Sequence, residues 1–316
     1  MNRRDFLIRS SLAVSAGLLT RSILHAQTPA AIPAAPAVPP TPAKPVFTPL
    51  RRNVGHFTAR GGTIGWLVNK DALAAIDTQF PDTAELFLAG LHGRDGRKFD
   101  AVLNTHHHGD HTGGNATFKP ATQKIVAHEN VPDLMRAAAN RANQPFNPLT
   151  LPTETYPETW KGTFGDEIIS ARHFGPAHTK GDVVITFEKA NVVHMGDIMF
   201  NRIYPVIDRF GGASIQGWIT SLEKIAADYP ADAIYIFGHS NPKFPVSGNR
   251  GELLILRDFL TVLLAYTQKQ IAAGQTKEQI TALENFPGFP EFHQTLPNRL
   301  GTDLGVAYDE LTAARS

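Results

Sequence analysis

The stretch Asn104–Asn115, NTHHHGDHTGGN, holds four of the thirteen histidines of the chain within six positions. The apolar segment Phe99–Asn104 (FDAVLN) predicts a buried strand that runs directly into these histidines. Residues two apart in an extended segment share a face, so His106 and His108 can reach the same point, whereas His107 faces away. Binding and catalytic sites are often built on loops that a rigid sheet positions. The stretch therefore predicts a metal site at the end of a strand.

The second half of the same stretch offers further ligands. Gly109 lets the backbone turn, which directs Asp110 and His111 toward a second point nearby. Imidazole nitrogen and carboxylate oxygen suit zinc, and also iron or manganese. The alternative is a solvated, histidine-rich surface loop. Such a loop needs neither the glycines at 109, 113 and 114 nor an aspartate directly before the fourth histidine, so the residues favour a metal site.

The composition narrows the class of protein. Of the 316 residues, 42% are hydrophobic, which is enough for one large domain or two modest ones. The formal net charge is only +1, so the basic excess typical of a nucleic-acid-binding protein is missing. The chain has no cysteine, which excludes disulfides, thiolate ligands and cysteine nucleophiles. We therefore expect a small-molecule substrate, no nucleic-acid partner, and metal ligands of nitrogen and oxygen only.

The N-terminal segment resembles a bacterial twin-arginine export signal. It carries the pair Arg3 and Arg4 in MNRRDFL, then a mildly apolar stretch over 11–20 and a small-residue cleavage site, Leu24-His25-Ala26. The apolar stretch is shorter than the roughly 20 residues that span a membrane. We predict a signal peptide over 1–26, handled by the twin-arginine export machinery, and a periplasmic or secreted mature protein. The alternative is an ordinary basic amphipathic terminus.

The remainder of the chain predicts a linker and one folded domain. Residues 27–50 are rich in proline and alanine and predict an extended linker that packs no core. Residues 51–316 predict the domain, with a helical extension from about residue 250. The pattern predicts strands at 62–69, 73–76, 99–104, 124–127, 167–172, 182–188, 191–195 and 233–237, and helices at 83–92, 129–142, 215–228 and 252–273. Because hairpins outnumber βαβ units, the pattern favours two β-rich layers flanked by helices.

Five motifs of the chain resemble those of the metallo-β-lactamase superfamily. H-x-H-x-D-H at 106–111 matches the signature of that family. Asp77 in AAIDTQ, His178 in GPAHTKGD, Asp197 in VVHMGD and His239 in IFGHS occupy the other motifs in the expected order, each just after a strand-like run. The resemblance covers roughly residues 54–239. It implies an α/β fold of four layers, an αββα sandwich with two mixed β-sheets, outer helices and metals at one rim.

The resemblance also implies two metal ions per chain, zinc in the first place, with iron or manganese as alternatives. The implied ligands form two groups joined by one bridging carboxylate: His106, His108 and His178 in the first, Asp110, His111 and His239 in the second, and Asp197 between them. Asp77 would orient a ligand rather than bind metal itself.

The chemistry implied is hydrolysis of an ester, lactone, thioester or amide by a hydroxide that bridges the two metals. Asp110 is also a candidate to receive the proton of the attacking water. Asp197 stands where one type of zinc β-lactamase has a cysteine, and the β-lactamases that share the Asp-His pair lack a carboxylate there. The chain is therefore more similar to thioesterases of the glyoxalase II kind, lactonases and phosphodiesterases. With its signal and the motif GDIMFN, it most resembles exported metallohydrolases associated with quinoproteins or sulfur oxidation.

For residues outside the motifs, a packing role is the alternative to a functional role. Tyr204 follows the Asp197 motif and is a candidate to stabilise an oxyanion, although a packed tyrosine is the commoner outcome. Lys180 is a candidate to attract an anionic substrate group, against a solvated lysine. Packing is favoured for three other histidines, His128, His173 and His194. It is also favoured for the apolar face of the predicted helix 252–273, rich in leucine, and for residues 286–292.

Three other functions remain open on the sequence. A β-lactamase-like hydrolase shares the fold and would open β-lactam rings. A mononuclear iron persulfide dioxygenase usually retains one metal group, and the complete second group here argues against it. A non-catalytic metal-binding protein would keep the ligands but leave the metals without an open position.

Overall fold

The structure is a computed structural model and describes residues 44–313. The predicted signal peptide, 1–26, and most of the predicted linker, 27–50, lie outside the described residues. Between residues 44 and 313, none of the helices combines the length and the apolar character that a bilayer crossing needs.

The first sheet has seven strands whose spatial order follows the chain. They are β1 (Val46–Pro49), β2 (Val54–Thr58), β3 (Ile64–Val68), β4 (Leu73–Ile76), β5 (Ala101–Leu103), β6 (Ile125–His128) and β7 (Glu154–Tyr156). Neighbours from β1 to β4 are antiparallel, and those from β4 to β7 are parallel. Parallel neighbours need crossover segments, which contain helices here: α1 (Pro81–Gly90), α2 (Gly109–Thr112), α3 (Asn115–Phe118) and α4 (Val131–Arg141).

The second sheet has six strands in the order β15-β13-β11-β10-β9-β8. These strands are β8 (Thr159–Phe164), β9 (Glu167–Arg172), β10 (Val184–Phe187), β11 (Val192–His194), β13 (Ile234–Ile236) and β15 (Ser247–Gly248). Two short strands, β12 (Phe200–Asn201) and β14 (His239–Ser240), pair with each other in parallel. The helices that follow in the chain are α5 (Ile215–Asp228), α6 (Arg250–Ala272), α7 (Lys277–Thr281) and α8 (Arg299–Ala313).

The two sheets pack face to face, and central strands such as β4 and β10 are buried on both faces. Ala74 and Ile76 of β4 point into the core between the sheets, where they join Ile185 and Phe187 of β10. Leu73 and Ala75 of β4 pack under α1, and Val184 of β10 packs in the cluster beneath α5 and α6. The predicted four-layer αββα sandwich with two mixed sheets is therefore confirmed.

The folded domain begins earlier than the sequence predicts. The predicted linker, 27–50, includes Val46–Pro49, yet this segment pairs with β2 as the edge strand β1. Phe47 supplies the reason, because its ring lies 4.7 Å from the ring of Phe57 and 5.9 Å from that of Phe87. Proline is tolerated on an edge strand, where a missing N–H breaks no ladder. The pattern also missed β2, β7 and β8, and the two-residue strands β12, β14 and β15.

The C-terminal helices enclose a cluster of aromatic rings. Phe286, Phe289 and Phe292 are buried against Phe259 of α6, as the packing interpretation of this region expects. Helix α8 was not predicted. Its sequence, RLGTDLGVAYDELTA, contains two glycines, which lower helix propensity by about 1 kcal/mol each. Packing against α6 and α7 stabilises the helix nonetheless.

Asp303 on α8 is fully buried, and neither carboxyl oxygen has a hydrogen-bond partner within residues 44–313. Burial raises the pKa of this carboxyl well above its ordinary value, against the opposing charge of Arg299. A raised folded-state pKa means that Asp303 favours the fold at low pH and that this stability is lost as pH rises through the folded pKa.

We therefore expect Asp303→Asn to gain stability relative to the wild-type protein, by up to about 1.4 kcal/mol per pH unit, as pH rises from about 4, the ordinary pKa of an aspartate, toward the raised folded-state pKa. Thermal unfolding of both proteins at matched metal content measures this difference. Identical pH dependence in the two proteins would contradict the prediction.

Candidate metal centre

The histidine-rich stretch leaves β5 and turns directly into the short helix α2, which begins at Gly109. The turn does not depend on Gly109, because its φ is ordinary and an added β-carbon would meet nothing within 4 Å. The prediction that Gly109 permits the turn is wrong, and the helical geometry of α2 directs Asp110 and His111. The other two glycines are required, since a β-carbon would lie 2.5 Å from the Gly109 oxygen at Gly113 and 2.3 Å from the Thr78 oxygen at Gly114.

The first group of predicted ligands converges from three loops. His108 Nδ1 lies 2.9 Å from His178 Nε2. Asp197 Oδ2 lies 3.5 Å from His178 Nε2 and 3.8 Å from His106 Nε2. His106 Nε2 is buried without a hydrogen-bond partner among the described residues. Four donor atoms therefore face one point.

The second group is built the same way. His111 Nε2 lies 3.3 Å from His239 Nε2, and Asp110 Oδ2 lies 3.1 Å from His239 Nε2. Asp197 Oδ1 lies 3.0 Å from His111 Nε2 and 3.4 Å from His239 Nε2. One oxygen of Asp197 thus faces each group.

These residues fit metal ions. Imidazole nitrogens that face one another at hydrogen-bond distance, with an orphaned buried nitrogen beside them, are an arrangement that a shared cation satisfies. The ligand set is histidine and carboxylate only, which suits zinc, iron or manganese. The side chains of His108, Asp110 and His239 are 23%, 27% and 24% exposed, so the centre opens to solvent on their side.

Asp77 lies behind the second group at the end of β4. It accepts hydrogen bonds from the backbone N–H of Thr105 at 2.8 Å and from the Thr105 hydroxyl at 2.7 Å. Its Oδ2 also lies 2.7 Å from His111 Nδ1. This contact leaves His111 Nε2 directed at Asp197 and fixes the ring, which is how a carboxylate behind a metal-binding histidine acts.

Comparison with known proteins places the chain in a family. The family model described as the metallo-beta-lactamase superfamily matches residues 58–239. The chain belongs to the metallo-β-lactamase superfamily. The match includes every residue of both ligand groups.

Individual relatives are more distant. A hydroxyacylglutathione hydrolase of Methylococcus capsulatus is 32% identical over 184 residues, which are 56% of this chain and 62% of that protein. The 2,4-dinitroanisole O-demethylase subunit alpha of a Nocardioides species is 28% identical over 174 residues, 52% of this chain and 48% of that protein. The chain therefore spans less than two thirds of the length of either relative. A solved metallo-beta-lactamase from Pontibacter korlensis has a TM-score of 0.56 at 16% identity over 69% of this chain and 99% of that chain, which shows the shared fold.

In this superfamily member, burial and the charge of Asp197 shift the pKa values of four of the histidines in opposite directions. Burial lowers the pKa of His106 well below its ordinary value and that of His178 to about 4. Burial also acts on His111 and His239, but the charge of Asp197 outweighs it, so the pKa of His111 is raised well above its ordinary value and that of His239 rises to about 9. His106 and His178 are therefore neutral donors, whereas a metal at the second group has to displace protons from His111 and His239.

Asp208, which the sequence analysis did not single out, holds a ligand of the first group. Its Oδ2 lies 3.0 Å from His108 Nε2 and 3.5 Å from His107 Nε2. Because His108 presents Nδ1 to the metal group, a carboxylate at Nε2 fixes both its ring and its tautomer. His107 lies outside the two predicted ligand groups but close to them, since it is buried at 3% exposed and its ring lies 4.4 Å from that of His108. The glycine pair 211–212 was the local signal that a turn begins at Asp208.

We expect Asp208→Ala to lower the affinity of the first group for zinc by about 10- to 100-fold. Asp208→Asn should retain most of the affinity, since its amide oxygen can still accept from His108. Competition with a chromophoric zinc chelator measures the affinity, and Asp228→Ala, which removes an exposed carboxylate paired with Arg172, is the matched control. Equal affinity of Asp208→Ala and wild-type protein would show that Asp208 does not position His108.

The structure separates Tyr204 from the centre. The backbone N–H of Tyr204 donates to the carbonyl of His293, and its hydroxyl accepts from the N–H of Phe286 at 3.3 Å. The ring packs 5.6 Å from that of Phe259. Pairing of its loop with residue 293 thus turns the hydroxyl into the aromatic cluster, and the predicted oxyanion role is replaced by packing.

The remaining candidates behave as packed or solvated residues. His194 Nε2 lies 3.1 Å from the Thr63 carbonyl, and His173 Nδ1 lies 2.7 Å from that of Asp182. The rings of His128 and His173 are 4.3 Å apart. Lys180 is exposed, with its stem over Gly212. Each of the three histidines therefore has a structural partner outside the two ligand groups.

Proposed function

We propose that this protein is a binuclear, zinc-dependent hydrolase that cleaves a thioester or ester bond, with lactones and amides as related substrates. The observation that carries the proposal is Asp197, whose two oxygens face the two ligand groups separately. A carboxylate in that position suits two metal ions held side by side. When bound, such ions lower the pKa of water from about 15.7 to about 7 and polarise a carbonyl oxygen.

The residues of the proposed centre have separate roles, as metal ligands or as partners that orient them. His106, His108 and His178 would hold one ion, and Asp110, His111 and His239 would hold the other. Asp77 and Asp208 keep His111 and His108 in the ring orientations that direct their free nitrogens inward.

Asp110 is the carboxylate at the opening, at 27% exposed, and its Oδ2 lies 3.1 Å from His239. Burial acts to raise the pKa of Asp110, but the charge of His111 and the hydrogen bond from His239 outweigh it and lower the pKa to about 2. Asp110 is therefore ionised at neutral pH, the form in which a carboxylate binds metal. A pKa this low makes it a weak base toward water, so its ligand role comes before a role as proton acceptor.

A thioester is our first choice of substrate. The relative from Methylococcus capsulatus, whose name describes a hydroxyacylglutathione hydrolase, supports it at 32% identity. The cysteine-free ligand set with Asp197 as bridge supports the thioesterase side of the superfamily against the zinc β-lactamases.

The test is metal content by elemental mass spectrometry, beside turnover on a hydroxyacylglutathione, a simple ester, a lactone and a chromogenic cephalosporin. We expect about two zinc ions per chain and thioester or ester turnover that a chelator abolishes. One iron per chain without hydrolysis would overturn the proposal in favour of a persulfide dioxygenase. Two metals with hydrolysis of the cephalosporin alone would favour a β-lactamase-like enzyme.

We further propose that residues 1–26 direct export by the twin-arginine route, on the strength of Arg3 and Arg4 in their sequence context. Replacing both arginines with lysine in the full chain should retain the protein in the cytoplasm of a bacterial host. Unchanged export of the double variant would contradict this route.

A further inference from the structure

A tight turn is fastened to the metal ligands at its base. It runs from Asp208 to Ala213, closed by a hydrogen bond from the Ala213 N–H to the Asp208 carbonyl at 3.0 Å. The Asp208 side chain lies 3.0 Å from His108 Nε2, and the nearby Val206 carbonyl lies 2.6 Å from His178 Nδ1. The position of the turn is therefore set by two ligands of the first metal group.

The turn is rigid as well as anchored. Gly212 has a φ of +82°, and a β-carbon at Gly211 would lie 2.3 Å from Asp208 Oδ2. The Lys180 N–H donates to the Gly211 carbonyl at 2.9 Å, and the Gly211 N–H donates to Asp208 Oδ1 at 2.9 Å. A side chain at the tip of this turn is therefore held at a fixed place two residues from Asp208, which contacts His108.

The tip carries Phe210, which is 78% exposed, the highest value among the exposed large hydrophobic side chains of residues 44–313. Its Cα lies within about 7.6 Å of that of Asp208, since consecutive Cα atoms are about 3.8 Å apart. A phenylalanine ring stabilises a fold when it is buried, so the exposed ring of Phe210 contributes little to the free energy of folding. A ring held in water two residues from the carboxylate that contacts His108, a partly exposed residue of the centre, is available to contact a ligand.

Positive charge surrounds the ring. The guanidinium of Arg141, at the C-terminal end of α4, lies 4.8 Å from the Phe210 ring centroid. Arg209 and Lys180 flank the tip and are exposed. Within residues 44–313, none of the ion pairs uses Arg141, Arg209 or Lys180. Asp208, the nearest carboxylate in sequence, faces the histidines instead. We call Arg141, Lys180, Arg209 and Phe210 the recognition lip.

We propose that the recognition lip selects substrates that combine a flat apolar group, stacked on Phe210, with an anionic group bound by Arg141 and its neighbouring cations. The inference rests on the proposed function, because it assigns the substrate class of the same metal centre. Phe210 and Arg141 determine specificity and take no part in bond cleavage. A rigid aromatic ring supplies contact area at little entropic cost, and exposed cations attract an anion to the opening.

Direct binding tests this without depending on turnover. The probes are 3-phenylpropanoate, which is aromatic and anionic, propanoate, which is only anionic, and 3-phenylpropanamide, which is only aromatic. Calorimetric titration of zinc-loaded full-length protein gives the Kd of each. Phe210→Ala should weaken 3-phenylpropanoate about tenfold and change propanoate by less than about twofold, whereas Phe210→Trp should keep the preference.

Arg141→Gln should weaken both carboxylates about threefold relative to the amide, and this effect should shrink at about 1 M salt, where the Debye length is about 3 Å. Two matched controls remove similar groups elsewhere. Leu86→Ala shortens an exposed apolar side chain on α1, at 40% exposed. Arg136 lies on the same helix as Arg141, and its guanidinium lies over the ring of Phe146, so Arg136→Gln removes a comparable group. Both controls should bind all three probes as the wild-type protein does.

The outcomes separate the two proposals. No preference of the wild-type protein for the phenyl probe, or an unchanged preference in Phe210→Ala, would overturn the recognition lip. A phenyl preference that Phe210→Ala removes, in a protein that hydrolyses no ester or thioester, would support the lip and overturn the hydrolase. Hydrolysis with equal kcat/KM for phenyl-bearing and methyl-bearing thioesters would support the hydrolase and overturn the recognition lip.

Discussion

Replacement of Asp197 by alanine should leave the protein with fewer than two metal ions per chain and lower turnover by at least about a thousandfold. Asp197 is the residue shared by both ligand groups, with Oδ1 at 3.0 Å from His111 Nε2 and Oδ2 at 3.5 Å from His178 Nε2. Its loss removes one ligand atom from each group at once. No single histidine substitution has that consequence, since each histidine belongs to one group.

The metal-free form of the same variant should also be less stable. Asp197 is buried beside His111 and His239, whose raised pKa values it supports, so alanine leaves buried positive charge with less compensation. Breaking a buried ion pair from one side costs about 3 to 5 kcal/mol. Elemental mass spectrometry, turnover and denaturant unfolding of the metal-free protein measure the three effects.

The matched variants for Asp197→Ala are Asp197→Asn and Asp232→Ala. Asparagine keeps the shape but not the charge, so it should also lose metal. Asp232 is exposed and pairs with Arg51 on the surface, so its removal should change neither metal content nor turnover. Two metals per chain and full turnover in Asp197→Ala would remove the basis of the bridging role.

Gly238→Ala is the second substitution with a large expected effect. A β-carbon at this position would lie 2.0 Å from Asp197 Oδ1 and 2.7 Å from the carbonyl oxygen of Gly196. The backbone has little room to retreat, because the Gly238 N–H donates to Gly196 at 2.9 Å and its carbonyl accepts from the Thr63 N–H at 3.0 Å. Alanine must therefore displace Asp197.

We expect Gly238→Ala to reduce metal content and to lower turnover by about 100-fold or more, with a loss of about 1 to 3 kcal/mol of unfolding free energy from overpacking. The control is Gly305→Ala on α8, where the nearest atom to a new β-carbon is 3.4 Å away and helix propensity should improve. If Gly238→Ala retained two metals and wild-type turnover, the close approach at Asp197 would not constrain the centre.

Local pattern was enough for much of the fold. The predicted strand 167–172 and helix 215–228 coincide with β9 and α5, because period-two alternation and an amphipathic helical period are properties of neighbouring residues. Elements stabilised from a distance were missed. Strand β1 depends on the rings of Phe57 and Phe87, and α8 depends on α6 and α7.

The candidate site shows the same difference between what neighbouring residues determine and what distant segments determine. The sequence by itself predicted the residues that converge at the centre, because histidine and aspartate at H-x-H-x-D-H spacing have few other uses and each motif follows a strand-like run. Only the tertiary structure decided that Asp208, 100 residues from His108 along the chain, holds that ligand, that Tyr204 turns into the aromatic cluster, and that Phe210 remains in water. The physical reason is that the direction of a loop side chain depends on hydrogen bonds to distant segments, which no local period encodes.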